Sequence, residues 1–263
     1  MKIFLGPSGS PGKTTIDGLA AVRAMGLDAM ELSFTHGVRM GIETAKQIGE
    51  ANKKTKLKLS IHAPYYINLC SEKPAVRKDS IRRILDTCER AHYIGAEKVV
   101  FHPAYYGKMP KDECFAAVKD AVNSMMDLMR SDKWNVQLAP ETTGRLAQFG
   151  TLEETIRLSD ETGCSFCIDI AHIYARNGGK INYGIVFDSI GRSHVHFHFE
   201  GIQTNKGGEG RHLVIEGNNP DFRQFAAELL KRDMGATIIS ESPVTWQDSL
   251  RMKKILEELG HIF

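Results

Sequence analysis

The feature that most limits what this chain can fold into is a strict alternation. Short apolar, β-branched runs are each followed by a longer stretch, amphipathic in most cases. Eight runs read as strands: Lys2–Gly6, Ala29–Ser33, Lys58–His62, Lys98–His102, Asn135–Pro140, Ser165–Ile170, His194–Phe199 and Thr237–Ser240. Their starts lie 27, 29, 40, 37, 30, 29 and 43 residues apart, about the length of one βα unit. Amphipathic stretches at Thr15–Met25, Arg39–Asn52, Val76–Ile94, Glu113–Arg130, Thr151–Thr162, Phe222–Asp233 and Gln247–Leu259 read as helices. Several stop at a glycine, as at Gly26, Gly95, Gly163, Gly235 and Gly260, where a left-handed residue can cap the last turn. Alternation of this kind predicts a parallel sheet with helical crossovers. Eight units in 263 residues favour a closed (β/α)8 barrel, a TIM barrel, over an open sheet. No linker or change of composition divides the chain, so residues 1–263 are expected to form one domain.

Composition removes other classes. With Lys+Arg 34 against Asp+Glu 32 the formal charge is +2, which argues against a generally basic nucleic-acid coat. The apolar start, Met1–Leu5, ends at Gly6-Pro7, too short for a signal-peptide core, and no apolar run is long enough to span a bilayer. No membrane partner is expected. Five cysteines, an odd number, are scattered at 70, 88, 114, 164 and 167. They suggest a reduced, cytoplasmic protein whose cysteines serve as small buried side chains. Cys164-Ser-Phe-Cys167 is a CxxC without a second pair, and Cys167 opens an apolar run.

Gly6-Pro-Ser-Gly-Ser-Pro-Gly-Lys-Thr14 imitates a phosphate-binding loop, but the spacing fails. The glycine required five positions before Gly12-Lys13 is Pro7, which has no N–H to offer a phosphate. No dinucleotide fingerprint follows any strand, so no nucleotide cofactor is expected.

Chemistry-bearing residues gather where strands end. His62 closes the third strand and His102 the fourth; Glu141 follows the fifth. Asp169 and His172 end the sixth, and Glu241 closes the eighth. The seventh carries His194, His196 and His198, with Glu209 and His212 in its loop. In a (β/α)8 barrel the strand C-termini share one mouth. A single strand-end histidine is usually a hydrogen-bonded structural residue. Four carboxylates brought together need cations to offset their repulsion. Histidine with carboxylate suits zinc, manganese or iron rather than magnesium or calcium.

In these strand-end motifs and their order, the chain resembles the endonuclease IV family of the xylose-isomerase-like barrels. His62-Ala-Pro-Tyr-Tyr-Ile-Asn-Leu, Phe101-His-Pro, Glu141-Thr-Thr-Gly, Cys167-Ile-Asp-Ile-Ala-His172 and Glu241-Ser-Pro carry the similarity over nearly the whole chain. The resemblance implies a hydrolase with two or three zinc ions (Mn2+ or Fe2+ being possible substitutes) that cuts the phosphodiester 5′ to abasic sites in duplex DNA during base excision repair. By position, His62, His102 and Glu141 would hold the first ion. Glu141 would bridge to a second ion completed by Asp169, Glu241 and a strand-seven histidine; His198 stands nearest the mouth, with His196 the alternative. His172, Glu209 and His212 would hold the third, though Glu209-Gly-Arg-His212 departs from the family's Asp-x-His by one residue. Arg39, Tyr65 and Tyr66 fall where the family contacts DNA, and Lys53-Lys54, Arg145 and Lys206 would supply loop charge. A barrel of this type can act as a monomer.

Two other readings use the same residues. A sugar or sugar-phosphate isomerase or epimerase would need one divalent ion on Glu141, Asp169, His198 and Glu241, with His62 and His102 contacting sugar. A barrel binding a metabolite without turnover would have little reason to keep the full ligand set.

Overall fold

The computed structural model describes every residue from Met1 to Phe263. The first elements are β1 (Ile3–Pro7), α1 (Thr15–Ala24), β2 (Ala29–Ser33), α2 (Ile42–Thr55), β3 (Lys58–His62) and α3 (Pro74–Ile94). They are followed by β4 (Lys98–Phe101), β5 (Ala104–Tyr105), α4 (Lys111–Ser131), β6 (Gln137–Pro140), β7 (Gln148–Phe149) and α5 (Leu152–Thr162). Then come β8 (Cys167–Asp169), α6 (Ile170–Arg176), α7 (Tyr183–Ile190), β9 (His194–Phe199), β10 (Gly201–Asn205) and β11 (Gly208–Leu213). The chain closes with α8 (Phe222–Lys231), β12 (Gly235–Ser240) and α9 (Trp246–Glu258).

Two compact units make up the chain. One holds Met1–Glu31, Gly144–Leu146 and Ile168–Phe263; the other holds Leu32–Thr143 and Ala147–Cys167. The sheet of the first runs β1-β12-β9-β8, parallel where Leu5 faces Ile238 and Ile239 faces His198. Every residue of β12 is buried, as a parallel strand covered on both faces requires. Phenylalanines lock α7 and α8 to β9, with ring centroids 5.1 Å apart for Phe197–Phe225 and 4.9 Å for Phe199–Phe222. Gly6 is fixed by close approach, since a Cβ there would sit 1.6 Å from the Ala29 carbonyl oxygen. The sheet of the second unit runs β2-β3-β4-β6, with His62 facing Val100 and Phe101 facing Pro140. Its α5 starts at a Thr151–Glu154 capping box and stops at left-handed Gly163.

The strand ranges expected at 29–33, 58–62 and 194–199 are reproduced. β4 ends at Phe101, since Pro103 has no N–H with which to continue the ladder. β8 is cut to Cys167–Asp169, since the Asp169 side chain caps α6 and turns the chain into a helix. α2 begins at Ile42, which leaves Arg39 in the loop before it, while Lys53 and Lys54 belong to its last turn rather than to a loop. Two helices, α6 and α7, stand where no helix was expected, and two antiparallel pairs are added: β5 with β7, and β10 with β11. The first pair is two residues per strand, below any periodic signal, and β10–β11 is mostly polar or glycine, so neither carries an apolar pattern. The glycine-rich loop after β1 folds on itself: Gly12 N–H donates to Ser10 Oγ, whose hydroxyl donates to the Thr14 carbonyl.

The cysteine reading needs one correction. Cys70 and Cys114 form a disulfide, their Cα atoms 5.2 Å apart, which ties the segment after β3 to the first turn of α4. Cys88, Cys164 and Cys167 are free and buried as expected. No helix is long and apolar enough to cross a membrane.

Candidate metal centre

In the unit containing β3, β4 and β6, His62 ends β3 while His102 and Glu141 follow β4 and β6. The Glu141 backbone N–H donates to the Phe101 carbonyl at 3.0 Å, which brings its fully buried side chain level with the ends of both neighbouring strands. Glu141 Oε2 then lies 3.1 Å from His62 Nε2 and 3.2 Å from His102 Nε2. The opposite nitrogen of His62 fixes the tautomer. Nδ1 is 2.8 Å from the Ala63 carbonyl oxygen, which can only accept, so Nδ1 carries a proton. In the neutral ring the Nε2 lone pair then faces a carboxylate oxygen, two acceptors in contact. A cation between them, a proton or a metal ion, resolves that conflict.

Over these rings stands Tyr65, half-exposed, with centroids 5.6 Å from His62 and 6.0 Å from His102. Tyr66 is more exposed still, at 65%, and Arg39 is exposed.

The other unit assembles two groups. His198 lies in β9 with Nε2 3.0 Å from Glu31 Oε1 and Nδ1 3.6 Å from Glu241 Oε1. Glu31, fully buried in β2, also meets His196 Nε2 at 3.3 Å through its other oxygen. Burial pushes the Glu31 carboxyl up, but the charges and hydrogen bonds of His198 and His196 outweigh it and hold the group well below the usual carboxylate range. Glu31 reaches both strand-seven candidates, but His198 is the one that also lies beside Glu241.

The second group of this unit is His172, Glu209 and His212. His172 Nε2 is 3.6 Å from Glu209 Oε2, and the two imidazole centroids are 5.9 Å apart. His212 Nδ1 donates to the Glu241 backbone carbonyl at 3.1 Å, leaving Nε2 as its lone-pair nitrogen. Glu209 and His212 both lie in β11 of the β10–β11 hairpin. Glu209 N–H donates to the Gly144 carbonyl at 3.1 Å, drawing the segment Gly144–Leu146 onto the hairpin edge. Gly144 is required there: a Cβ would lie 2.7 Å from Glu209 Cβ and 3.0 Å from His172 Cδ2. Asp169, also fully buried, has Oδ2 3.3 Å from His172 Nδ1.

Three donor sets each place their ligand atoms within 4.8 Å of one another: His62–His102–Glu141, His172–Glu209–His212 and Glu31–His198–Glu241. Ligands about 2.0 Å from a tetrahedral ion are about 3.3 Å apart, close to the separations here. Mixed imidazole and carboxylate donors fit a zinc-like ion.

Glu31, Glu200 and Gly144 were not singled out from sequence. Glu31 is the one charge inside an apolar strand, Ala-Met-Glu-Leu-Ser. Glu200 continues the alternation of His194, His196 and His198 one step past β9. Side chains two apart on a strand share a face, so the alternation of β9 points to Glu200.

A sequence model of the Xylose isomerase-like TIM barrel family matches residues 19–261. The chain belongs to this family. An uncharacterized protein of Methanocaldococcus jannaschii is 35% identical over 98% of both chains. A protein of Mycobacterium leprae named "probable endonuclease 4" is 29% identical over 64% of this chain and 67% of its own. Among solved structures, endonuclease IV from Thermus thermophilus superposes with a TM-score of 0.75 at 20% identity, covering 98% of this chain and 100% of its own. A D-tagatose 3-epimerase-like protein gives 0.76 at 20% identity over 98% and 96%. An IolI protein with a bound zinc atom gives 0.77 at 13% identity over 100% of both. These likenesses establish the TIM-barrel fold of the family.

Proposed function

We propose that this chain, one domain over residues 1–263, is a metal-dependent endonuclease that hydrolyses the phosphodiester 5′ to abasic sites in duplex DNA. The observation that carries the reading is the His62–Glu141 contact, in which a lone-pair nitrogen fixed by the Ala63 carbonyl faces a buried carboxylate at 3.1 Å. Relatives named as endonuclease 4 support it. His62, His102 and Glu141 would hold one ion. Asp169, His198 and Glu241 would hold a second, and His172, Glu209 and His212 a third. Divalent ions of the zinc class, when bound, lower the pKa of water toward neutrality and offset charge on phosphate oxygens.

The chain's own groups set the donors. The Ala63 and Glu241 carbonyls fix the tautomers of His62 and His212, and Glu31 orients the His198 ring. Arg39, Tyr65 and Tyr66 are the DNA contacts of this reading, Tyr66 filling the gap left by a missing base. We place the activity in the cytoplasm, in a monomer.

A second reading is favoured by the epimerase-like neighbour: a sugar epimerase with one divalent ion. One experiment separates them. Purified protein with zinc restored is incubated with a duplex carrying a single abasic site, and its metal content is measured in parallel. The endonuclease reading expects a nick ending in a 3′-hydroxyl and more than two ions per chain. Intact duplex at protein in large excess over DNA, with one ion bound, sinks it.

A further inference from the structure

Glu200 immediately follows β9 and is fully buried, yet neither of its carboxylate oxygens has a hydrogen-bond partner. Its ion-pair neighbour is His212, whose Nε2 lies 3.8 Å from Oε1. That nitrogen is the lone-pair side of the ring, because Nδ1 donates to the Glu241 carbonyl. Asp169 and Glu241 are its acidic neighbours, and the rings of His172 and His198 act on it as well. An ionised carboxylate buried without a partner is strongly unfavourable. What satisfies both oxygens and both acidic neighbours is a cation.

We infer that Glu200 is a further metal ligand of this chain, the fourth protein donor to the ion held by His172, Glu209 and His212. The inference rests on the metal reading above. Four protein donors make a closed tetrahedral site, whereas three leave a position open to water or substrate. The ion at this position is therefore held tightly and exchanges slowly.

The test uses the full-length chain and needs no substrate. Wild-type, Glu200→Gln and Glu200→Asp proteins are stripped with chelator, checked for native far-UV circular dichroism, and titrated with Zn2+ against a competing chelator. Co2+ is titrated separately for its visible absorption. Glu200→Gln preserves volume and satisfies itself poorly, so Glu200→Asp guards against loss of fold. The expected result is that Glu200→Gln loses one ion per chain or binds it at least 10-fold more weakly, with the intense tetrahedral Co2+ bands diminished. Glu200→Asp regains part of both. Wild-type stoichiometry and affinity in folded Glu200→Gln overturn this inference alone. A wild-type chain that takes up no ion removes the metal reading and this inference with it.

Discussion

Asp169 and His172 are joined twice: Asp169 Oδ1 accepts the His172 backbone N–H at 2.7 Å, and Oδ2 lies 3.3 Å from the His172 ring Nδ1. One carboxylate thus starts helix α6 and orients a candidate ligand on its first turn. The two roles separate by substitution. Asparagine caps a helix about as well as aspartate, so Asp169→Asn should leave the chelated protein within about 0.5 kcal/mol of wild type in urea unfolding. Asp169→Ala should lose about 1 kcal/mol more. Both should forfeit most of the extra stability that added zinc confers on wild type. If Asp169→Asn keeps the full zinc-dependent gain, Asp169 is a cap and nothing more.

Glu141 faces two histidine nitrogens with one oxygen, so its charge matters more than its shape. Glu141→Gln should lower nicking of abasic duplex by at least 100-fold and reduce zinc content. Rates within threefold of wild type would show that the carboxylate holds no ion needed for the reaction.

Gly144 is packed against Glu209 and His172 with no room for a methyl group. Gly144→Ala should destabilise the chain by about 1–3 kcal/mol through overpacking. It should also weaken zinc binding at the His172–Glu209–His212 group while sparing the ion at His62, His102 and Glu141. Competitive chelator titration of the variant, which resolves ions by affinity, reads both effects. An unchanged affinity profile would mean that the hairpin tolerates the methyl by moving away without disturbing its ligands.

Tyr66 is 65% exposed, whereas Tyr65 leans on the His62 and His102 rings. Two adjacent tyrosines therefore have different expectations. Tyr66→Ala should raise the Kd for abasic duplex about 10-fold with metal content unchanged, since stacking on a base or filling its gap is worth about 1–3 kcal/mol. Tyr65→Ala should alter both DNA binding and the zinc affinity of the neighbouring histidines. Equal effects of the two substitutions on zinc would contradict the placement.

How much of this could be read beforehand follows from where each signal is local. His62, His102 and Glu141 are legible because each sits at the end of an apolar run, and strand direction alone sends those ends the same way. Asp169 and His172 share that logic. Glu200 and Glu31 are hard to read for opposite reasons: one lies a step beyond its strand, and the other is a lone charge inside an otherwise apolar run. The β10–β11 hairpin is nearly all polar or glycine, so no periodicity marks it, yet it carries Glu209 and His212. The Cys70–Cys114 pair has no local signal, because a sequence separation of 44 says nothing about which loops meet.

The remaining cysteines give a last prediction that depends on pH. Burial pushes the Cys164 thiol up to about 11, and burial drives Cys88 further in the same direction. The nucleophile in alkylation is the thiolate, so at neutral pH Cys164 presents roughly 300-fold less of it than a free cysteine with a pKa of about 8.5. Native protein treated with iodoacetamide at pH 7 should therefore show negligible label at Cys88 and Cys164 by peptide mass spectrometry. Labelling of Cys164 should rise with each pH unit toward 11 while the fold holds. In urea without reductant, Cys88, Cys164 and Cys167 should all react, and Cys70 and Cys114 should join them only after reduction. Native Cys164 reacting at the rate of a free thiol at pH 7 would show that the packing around it opens far more often than its burial implies.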